Sequence, residues 1–425
     1  MRAAYTIFIG ILTPFFVFRL LWKSRLNPAY RQRWQERFGF FTDQGCQDLE
    51  QGQEAIWVHA VSVGEVQATQ QLIKQLKQRY PENRLVMSTT TPTGAERLKL
   101  LYGDDVTHYY FPYDLPGVVK RWLTHVCPKK VILMETEVWP NLLRACQNRH
   151  IPVVLANGRL SEKSCRGYDK LGRFTRSVFQ SLSMVAAQSP QDAERFEKLG
   201  VGKNRLHVTG SVKFDTIQPA IVREQAEAMR RLIGAGRPIW IAASTREGEE
   251  EAVLAAHKSI CEQVESALLI IVPRHPERFD RVAQLSKQRG FNIIRRSQNK
   301  PCDPAHNVFI GDSMGELSIM YQTADIAFVG GSLVDTGGQN VLEPASFGLP
   351  VLFGPSMFNF AAISELLLCE QAAIQVDDAR HLAEQVIAWM NDASERARYG
   401  ENGRTVVDKN RGATGRLVEL IRSLD

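Results

Sequence analysis

The chain has 425 residues, 44% of them apolar and 23% charged, with a formal net charge of +6. That length exceeds one ordinary compact core and fits two domains, and the balance excludes a disordered chain. The mild positive excess names no partner by itself, since nucleic acid, a negative membrane surface and an anionic substrate all suit it.

Ala3 to Trp22 is almost wholly apolar up to Arg19 and is long enough, at about 1.5 Å per residue, to reach across a hydrocarbon core. Lys23, Arg25, Arg31, Arg33 and Arg37 follow it, against Arg2 alone before it. That asymmetry places the rest of the chain on the cytoplasmic side. No small residues mark a cleavage site after the apolar run, so a removed signal peptide is not expected. Pro14 and Arg19 interrupt the run, which leaves a span and a surface-lying helix both open.

From Ala55 the chain alternates β-rich runs with helical stretches. Strands are predicted at Ala55–Ala60, Arg84–Ser88, Val131–Met134, Ile151–Ala156 and Met184–Ala187, with a helix over Glu65–Arg79. The pattern pauses near Val208–Thr216, and a helical stretch over Ala220–Arg231 follows. A second series runs through Ile239–Ala243, Leu268–Val272, Ile326–Val329 and Pro350–Phe353, with helices over about 377–424. Such alternation predicts parallel sheets in two Rossmann-like domains facing each other across a cleft. Ligands in such sheets sit beyond the carboxyl ends of the strands. The cysteines at 46, 127, 146, 165, 261, 302 and 369 show no CxxC pair. They predict reduced thiols of a cytosolic compartment, mostly buried, and no zinc site.

Five loops carry candidate chemistry. In His59-Ala60-Val61-Ser62-Val63-Gly64-Glu65, Ser62 and Gly64 permit close backbone approach, and Glu65 stands at a helix start. It either takes a proton from an attacking hydroxyl or only complements the helix dipole. After the next apolar strand, Glu135 and Glu137 share one side if the strand continues. If a turn intervenes, one faces the cleft while the other caps the following helix. Glu135 suits an orienting or base-tuning role. Pro273-Arg274-His275-Pro276-Glu277-Arg278 offers guanidinium groups suited to phosphate. Gly311-Asp312-Ser313-Met314-Gly315-Glu316 opens a helix and presents N–H groups. Last, Gly330-Gly331-Ser332 precedes Asn340-Val341-Leu342-Glu343-Pro344. Asn340 there caps a helix whose N-terminus holds a phosphate, and Glu343 accepts from ribose hydroxyls. A glycine-rich loop before N-x-x-E, late in a second Rossmann-like series, points to a nucleotide-sugar site. No GxxxxGK[ST], HExxH, GxSxG or DxD pattern supports a P-loop, zincin, hydrolase or metal-held pyrophosphate reading.

Together these motifs resemble the 3-deoxy-D-manno-octulosonic acid (Kdo) transferases of Gram-negative bacteria. The resemblance spans Asn27-Pro28-Ala29-Tyr30-Arg31, Arg33-Trp34, Glu36-Arg37, Ser62 to Glu65, Thr91-Pro92-Thr93-Gly94, Pro112-Tyr113-Asp114 and Met134 to Glu137. It continues through Thr209-Gly210-Ser211, Lys213-Phe214-Asp215, Pro273 to Arg278, Met314 to Glu316, Gly330 to Ser332 and Asn340 to Pro344. It implies the GT-B fold, an inner-membrane location, CMP-Kdo as donor and a lipid A precursor as acceptor, with membrane lipid as partner, no nucleic acid and no metal. It implies an anchor over residues 1–24, an acceptor domain over 25–212 and a donor domain over 213–425, with the last helix packed back on the first. Glu65 becomes the base and Glu135 its support. CMP contacts fall on Pro273, Arg274, Met314, Gly315, Glu316, Asn340, Val341, Leu342 and Glu343, with Val341 contributing backbone. Gly64, Ser211 and Lys213 complete the substrate site, Lys213 meeting the sugar carboxylate. Other GT-B transferases, sugar-nucleotide epimerases and a non-catalytic nucleotide-binding scaffold are the alternatives, the last explaining the two glutamates least.

Overall fold

The computed structural model describes residues 1–42, 54–215 and 221–425. Cys46, Thr216 and Ala220, named among the expectations above, lie outside them. The chain divides into two compact units. One gathers Met1–Asp215 and Arg411–Asp425, and the other holds the described residues from Ile221 to Asn410.

The first unit is a seven-stranded sheet of β1 (Ala55–His59), β2 (Arg84–Thr89), β3 (Thr107–Tyr110), β4 (Pro128–Met134), β5 (Val153–Gly158), β6 (Met184–Ala187) and β7 (Leu206–Val208). Its order is β3-β2-β1-β4-β5-β6-β7, and every pairing is parallel. Both faces are buried, which is why the strands read as continuous apolar runs rather than alternating ones. In β1, Ala55 and Trp57 enter one core while Ile56 and Val58 enter the other. The order reverses between β1 and β4. A crevice opens beyond the strand ends at such a reversal.

The second unit repeats the plan with β8 (Ile239–Thr245), β9 (Leu268–Pro273), β10 (Ile293–Arg295), β11 (Val308–Ile310), β12 (Ile326–Val329), β13 (Val351–Phe353) and β14 (Ala373–Gln375). The order is β10-β11-β9-β8-β12-β13-β14, all parallel, reversing between β8 and β12. The edge strands β3, β7, β10 and β14, and the inner β11, were not anticipated. The four edge strands are short, and each carries a polar residue that interrupts an apolar run.

Several local expectations are corrected. The helix expected over Glu65–Arg79 begins earlier and is two helices, Val63–Ala68 and Gln70–Arg79. It breaks at Thr69, whose hydroxyl donates back to the Val66 carbonyl at 2.7 Å and competes with the helical ladder. Only Cys146 and Cys165 among the six described thiols are buried; Cys261 and Cys302 are half-buried, and Cys127 and Cys369 are exposed. Small size alone did not carry the other four into a core.

The apolar N-terminus forms one helix, Arg2–Leu26, with Pro14 inside it. It is long and apolar enough to cross a membrane. The motif that follows fastens it to the first unit. Buried Glu36 pairs with Arg33 and accepts from the Tyr110 amide at 3.0 Å. Buried Arg37 donates to the Thr90 carbonyl at 2.8 Å and lies over the Tyr110 ring. At the other terminus the helix Ala413–Arg422 buries Leu417 and Ile421 in the first unit's core. The Asp215 carboxylate caps it, accepting from the Gly412 amide at 2.6 Å and the Thr414 amide at 2.5 Å.

Candidate active site

The reversal of the first sheet gathers three of the motifs. β1 ends on His59, and its loop leads into the helix Val63–Ala68 with Ser62 as N-cap. The Ser62 hydroxyl accepts from the Glu65 amide at 3.3 Å and donates to Glu65 Oε1 at 3.0 Å. Val61 N–H donates to Glu65 Oε2 at 2.9 Å. Glu65 is thus oriented by a reciprocal cap, so the bland reading of it as a helix-start residue is true of its geometry. It does not exhaust its electrostatics. Burial, then the charge of Glu135 and, less strongly, that of Glu137 push its carboxyl up to about 7, against the two hydrogen bonds that favour the ion. A carboxylate so placed is half ionised near neutral pH, where a general base works best. Gly64 leaves the space above it open, a side-chain carbon there meeting only Ser62 Oγ at 3.9 Å.

β4 stops at Met134, and a turn intervenes. Glu135 takes φ +56°, a left-handed conformation that non-glycine residues rarely adopt. Its amide donates to the Ala156 carbonyl at 2.9 Å, which fixes the turn to β5. Its carboxylate meets Lys213 Nζ at 3.1 Å. Glu137 does not cap the helix Pro140–Asn148, whose N-cap is Trp139 with no side-chain bond. Instead it accepts from Trp139 Nε1 at 2.9 Å and stands 3.8 Å from Nε2 of the fully buried His59.

Lys213 rides on the short 3-10 turn Val212–Phe214, where the Ser211 hydroxyl accepts from its amide at 3.4 Å. Asn157, at the end of β5 with φ +54°, holds this turn by accepting from the Val212 amide at 3.1 Å. Sequence reasoning passed over Asn157. Its only signal is an amide side chain at the end of a strand one place from the reversal.

The second unit places its motifs at the carboxyl ends of β8, β9, β11 and β12, on one edge of an all-parallel sheet. Pro273 is the last residue of β9. Ser244, at φ +58°, bulges β8 so that the Thr245 carbonyl accepts from the Arg274 amide at 3.0 Å. Arg278 is committed elsewhere, donating to both oxygens of buried Glu250 at 3.1 and 3.0 Å. Of the two arginines in that motif, Arg274 is the one at the strand end. After β11, Met314 is exposed and Gly315 takes φ +84°. Glu316 is paired with Arg296 at 3.0 and 2.8 Å, so its side chain holds the loop and its backbone is what a ligand would meet.

The helix beyond the glycine loop is short, Leu342–Ser346, and its N-cap is Val341 rather than Asn340. Asn340 still satisfies a first-turn donor, accepting from the Leu342 amide at 3.1 Å. Glu343 accepts from the Ser318 hydroxyl at 2.6 Å, and burial raises its carboxyl above the ordinary range. The residue that organises this region was missed. Glu249, buried at 1% exposure, accepts through Oε2 from the Arg246 and Gly331 amides at 3.1 and 2.7 Å. Through Oε1 it accepts from the Ser332 and Leu333 amides at 3.1 and 3.0 Å. One carboxylate thereby ties the loop after β12 to the loop after β8 across the reversal. Gly330 must be glycine, because a side-chain carbon would stand 2.8 Å from Glu249 Oε2. In the sequence Glu249 lies in an acidic run that reads as an ordinary helix start.

Among the described residues no three His, Cys, Asp or Glu side chains cluster as metal ligands would. The arrangement suits proton abstraction in the first unit and anion and nucleotide binding by backbone and arginine in the second.

A family model described as 3-Deoxy-D-manno-octulosonic-acid transferase (kdotransferase) matches residues 32–216, and one described as Glycosyl transferases group 1 matches 245–406. A 3-deoxy-D-manno-octulosonic acid transferase of Haemophilus influenzae is 42% identical over 99% of this chain and 98% of its own length. One from Bordetella pertussis is 35% identical over 86% of each. A solved UDP-GlcNAc 2-epimerase from Neisseria meningitidis aligns with 87% of this chain and 100% of its own, with a TM-score of 0.59 at 12% identity. That likeness is one of fold alone.

Proposed function

The chain belongs to the Kdo transferase family of glycosyltransferases, and from that premise we propose that it moves Kdo from CMP-Kdo to a lipid A precursor with inversion at the anomeric carbon. The observation that carries the reading is Glu65, a positioned carboxylate whose pKa of about 7 is set by burial and by Glu135. Its oxygen takes the proton of an acceptor hydroxyl as that oxygen bonds to the anomeric carbon. The bond from that carbon to the phosphate oxygen breaks, and CMP leaves with the electron pair through an oxocarbenium-like transition state.

Glu135 holds Lys213 Nζ at 3.1 Å, and in this reading that ammonium meets the Kdo carboxylate. Pro273, Arg274, the Met314-Gly315-Glu316 backbone and Asn340 to Glu343 receive CMP. Arg274 and the N–H groups stabilise the phosphate as it departs. The acceptor meets the domain over 25–212 and the donor the one over 213–425, with the last helix returned to the first. CMP-Kdo is a substrate, and the chemistry calls for no further cofactor because a single phosphate leaves. The N-terminal helix holds the enzyme at the inner membrane with both domains on the cytoplasmic side, which the basic residues after it support.

The test is purified enzyme with CMP-Kdo and a Kdo-free lipid A precursor, read by mass spectrometry. The expected result is lipid heavier by one or more Kdo units with matching release of CMP. Transfer from UDP-sugars instead, or CMP release without a lipid product, would overturn the reading.

A further inference from the structure

Along the helix Arg2–Leu26 the covered residues include Tyr5, Ile9, Thr13, Phe16, Leu20 and Ser24, all half-buried or buried. Steps of three and four make them one stripe along most of the helix. The stripe lies on the folded first unit. Tyr5 donates to Asp114 Oδ2 at 2.9 Å, and its ring stands 5.9 Å from that of Phe174. Thr6 donates to Asn141 Oδ1 at 3.1 Å, and Phe16 stacks on Tyr113 at 6.1 Å. Asp114 is itself part of the domain's interior. It is 2% exposed and also accepts from the Asn141 and Leu142 amides at 2.9 and 2.8 Å.

Tyr5 and Phe16 are about 16 Å apart along a helix axis. A helix fastened at both points cannot cross a bilayer unless these contacts break. Otherwise Asp114 and Asn141 enter hydrocarbon, where buried polar groups are costly. Among the described residues, none covers the opposite face. Ile7, Phe8, Ile11, Phe15, Phe18 and Trp22 are 57–71% exposed and form a continuous apolar strip. The first 35 residues hold six Arg or Lys and no Asp or Glu, and Arg19, Arg25 and Arg31 are exposed. That charge complements an anionic lipid surface, which attracts basic residues held close to it.

We infer that this helix lies in the plane of the membrane, its Ile7-to-Trp22 face sunk into one leaflet of anionic lipid while its Tyr5-to-Ser24 face stays on the enzyme. The inference rests on membrane lipid being a partner, as proposed above. It deepens that reading by settling on the surface-lying helix over the span and by naming the residues that touch lipid. The first domain is then held flat against the leaflet from which a lipid acceptor is drawn.

The test uses the full chain in a cysteine-free background, reconstituted in sealed phosphatidylethanolamine–phosphatidylglycerol vesicles. Ile7→Cys, Phe15→Cys and Trp22→Cys, all on the exposed face, carry an environment-sensitive fluorophore, with quenchers placed shallow or deep on the lipid chains. One shallow depth, about 5–10 Å below the headgroups, is expected for all three. A span would separate the first and last labels by about 22 Å of helix rise. A profile that runs from shallow through deep to the opposite leaflet overturns the in-plane helix while leaving membrane association intact. Failure to float with the vesicles overturns the membrane reading as well. A stable dimer whose labels neither quencher reaches would assign the face to a second copy and overturn the proposal.

Discussion

The two sheets share a plan and use charge in opposite ways. At the reversal of the first, carboxylates crowd together. Glu65 feels Glu135 and Glu137, and the cation beside them, Lys213, is taken by Glu135. Beyond the strand ends of the second, four acids are matched to donors. Glu249 meets four amides, Glu250 meets Arg278, Glu316 meets Arg296, and Asp312 meets Arg295 at 2.7 Å. A site that must accept a proton near pH 7 needs a carboxylate whose ion is disfavoured, and unlike charges close by would defeat it. Loops that hold a fixed shape instead spend their charges on position, as these four acids do. Substitutions in the two regions should therefore fail in different ways.

The largest effect is expected from Glu65→Gln, which keeps an acceptor for the Val61 amide and removes the base. Transfer should fall by about 10²–10⁴-fold, with the donor KM little changed. In the unaltered enzyme kcat/KM should rise with pH and level off above about 7, because the base works only when ionised. The sign for stability is opposite. The folded state holds the Glu65 proton more tightly than the unfolded chain does, so this contribution is full below pH 4.5 and lost as pH rises to about 7. Thermal melts at pH 5 and pH 8 check it, since Glu65→Gln should gain on the unaltered protein only at the higher pH. A transfer rate within tenfold of normal would remove Glu65 as the base.

Glu249→Gln tests the other half. A glutamine cannot accept from four amides, and its own NH₂ would point at donors, so the Gly330-Gly331-Ser332 loop loses its tie to β8. Each buried donor left unmet costs about 1–3 kcal/mol. The donor KM should rise about tenfold or more with kcat much less affected, and the acceptor KM should stay put. Equal loss in kcat and both KM values would make Glu249 merely structural.

The difference between the halves also explains what could be read in advance. Long central strands such as β1, β8 and β9 are buried on both faces and announce themselves as apolar runs. The places of Glu65 and Glu135 were legible because each follows such a run at its carboxyl end. Glu249 follows one too, but three of its four partners are backbone amides of residues 331–333, and backbone donors leave no mark in a sequence. The same holds for Asn157, whose partner is the Val212 amide. The break at Thr69 turned on one hydroxyl choosing a carbonyl within its own helix. The seating of the first helix on its unit rested on Tyr5 finding Asp114, a pairing 109 residues apart. Positions whose role is a long-range polar contact stay hidden until the fold brings the partner.

The finest distinction falls on Glu137, which is charged like Glu135 but sits on the other side of the turn, against His59 and Trp139. The Ser88 hydroxyl accepts from Trp57 Nε1 at 2.8 Å and lies 2.9 Å from His59 Nδ1. Nδ1 also lies 3.0 Å from the Ser88 carbonyl, which can only accept, so the ring proton sits on Nδ1, and Nε2 faces Glu137 at 3.8 Å without a hydrogen bond. The charge of Glu137 adds to the upward push on Glu65, after burial and Glu135. Glu137→Gln keeps an acceptor for Trp139 and removes that push. The acidic limb of the pH profile should move down, by less than in a variant at Glu135, since Glu137 acts after burial and Glu135. Peak transfer should stay within about threefold, because Glu137 touches no reacting atom. A limb that does not move would show Glu137 to be screened from Glu65, and would leave Glu135 as the one carboxylate that tunes the base.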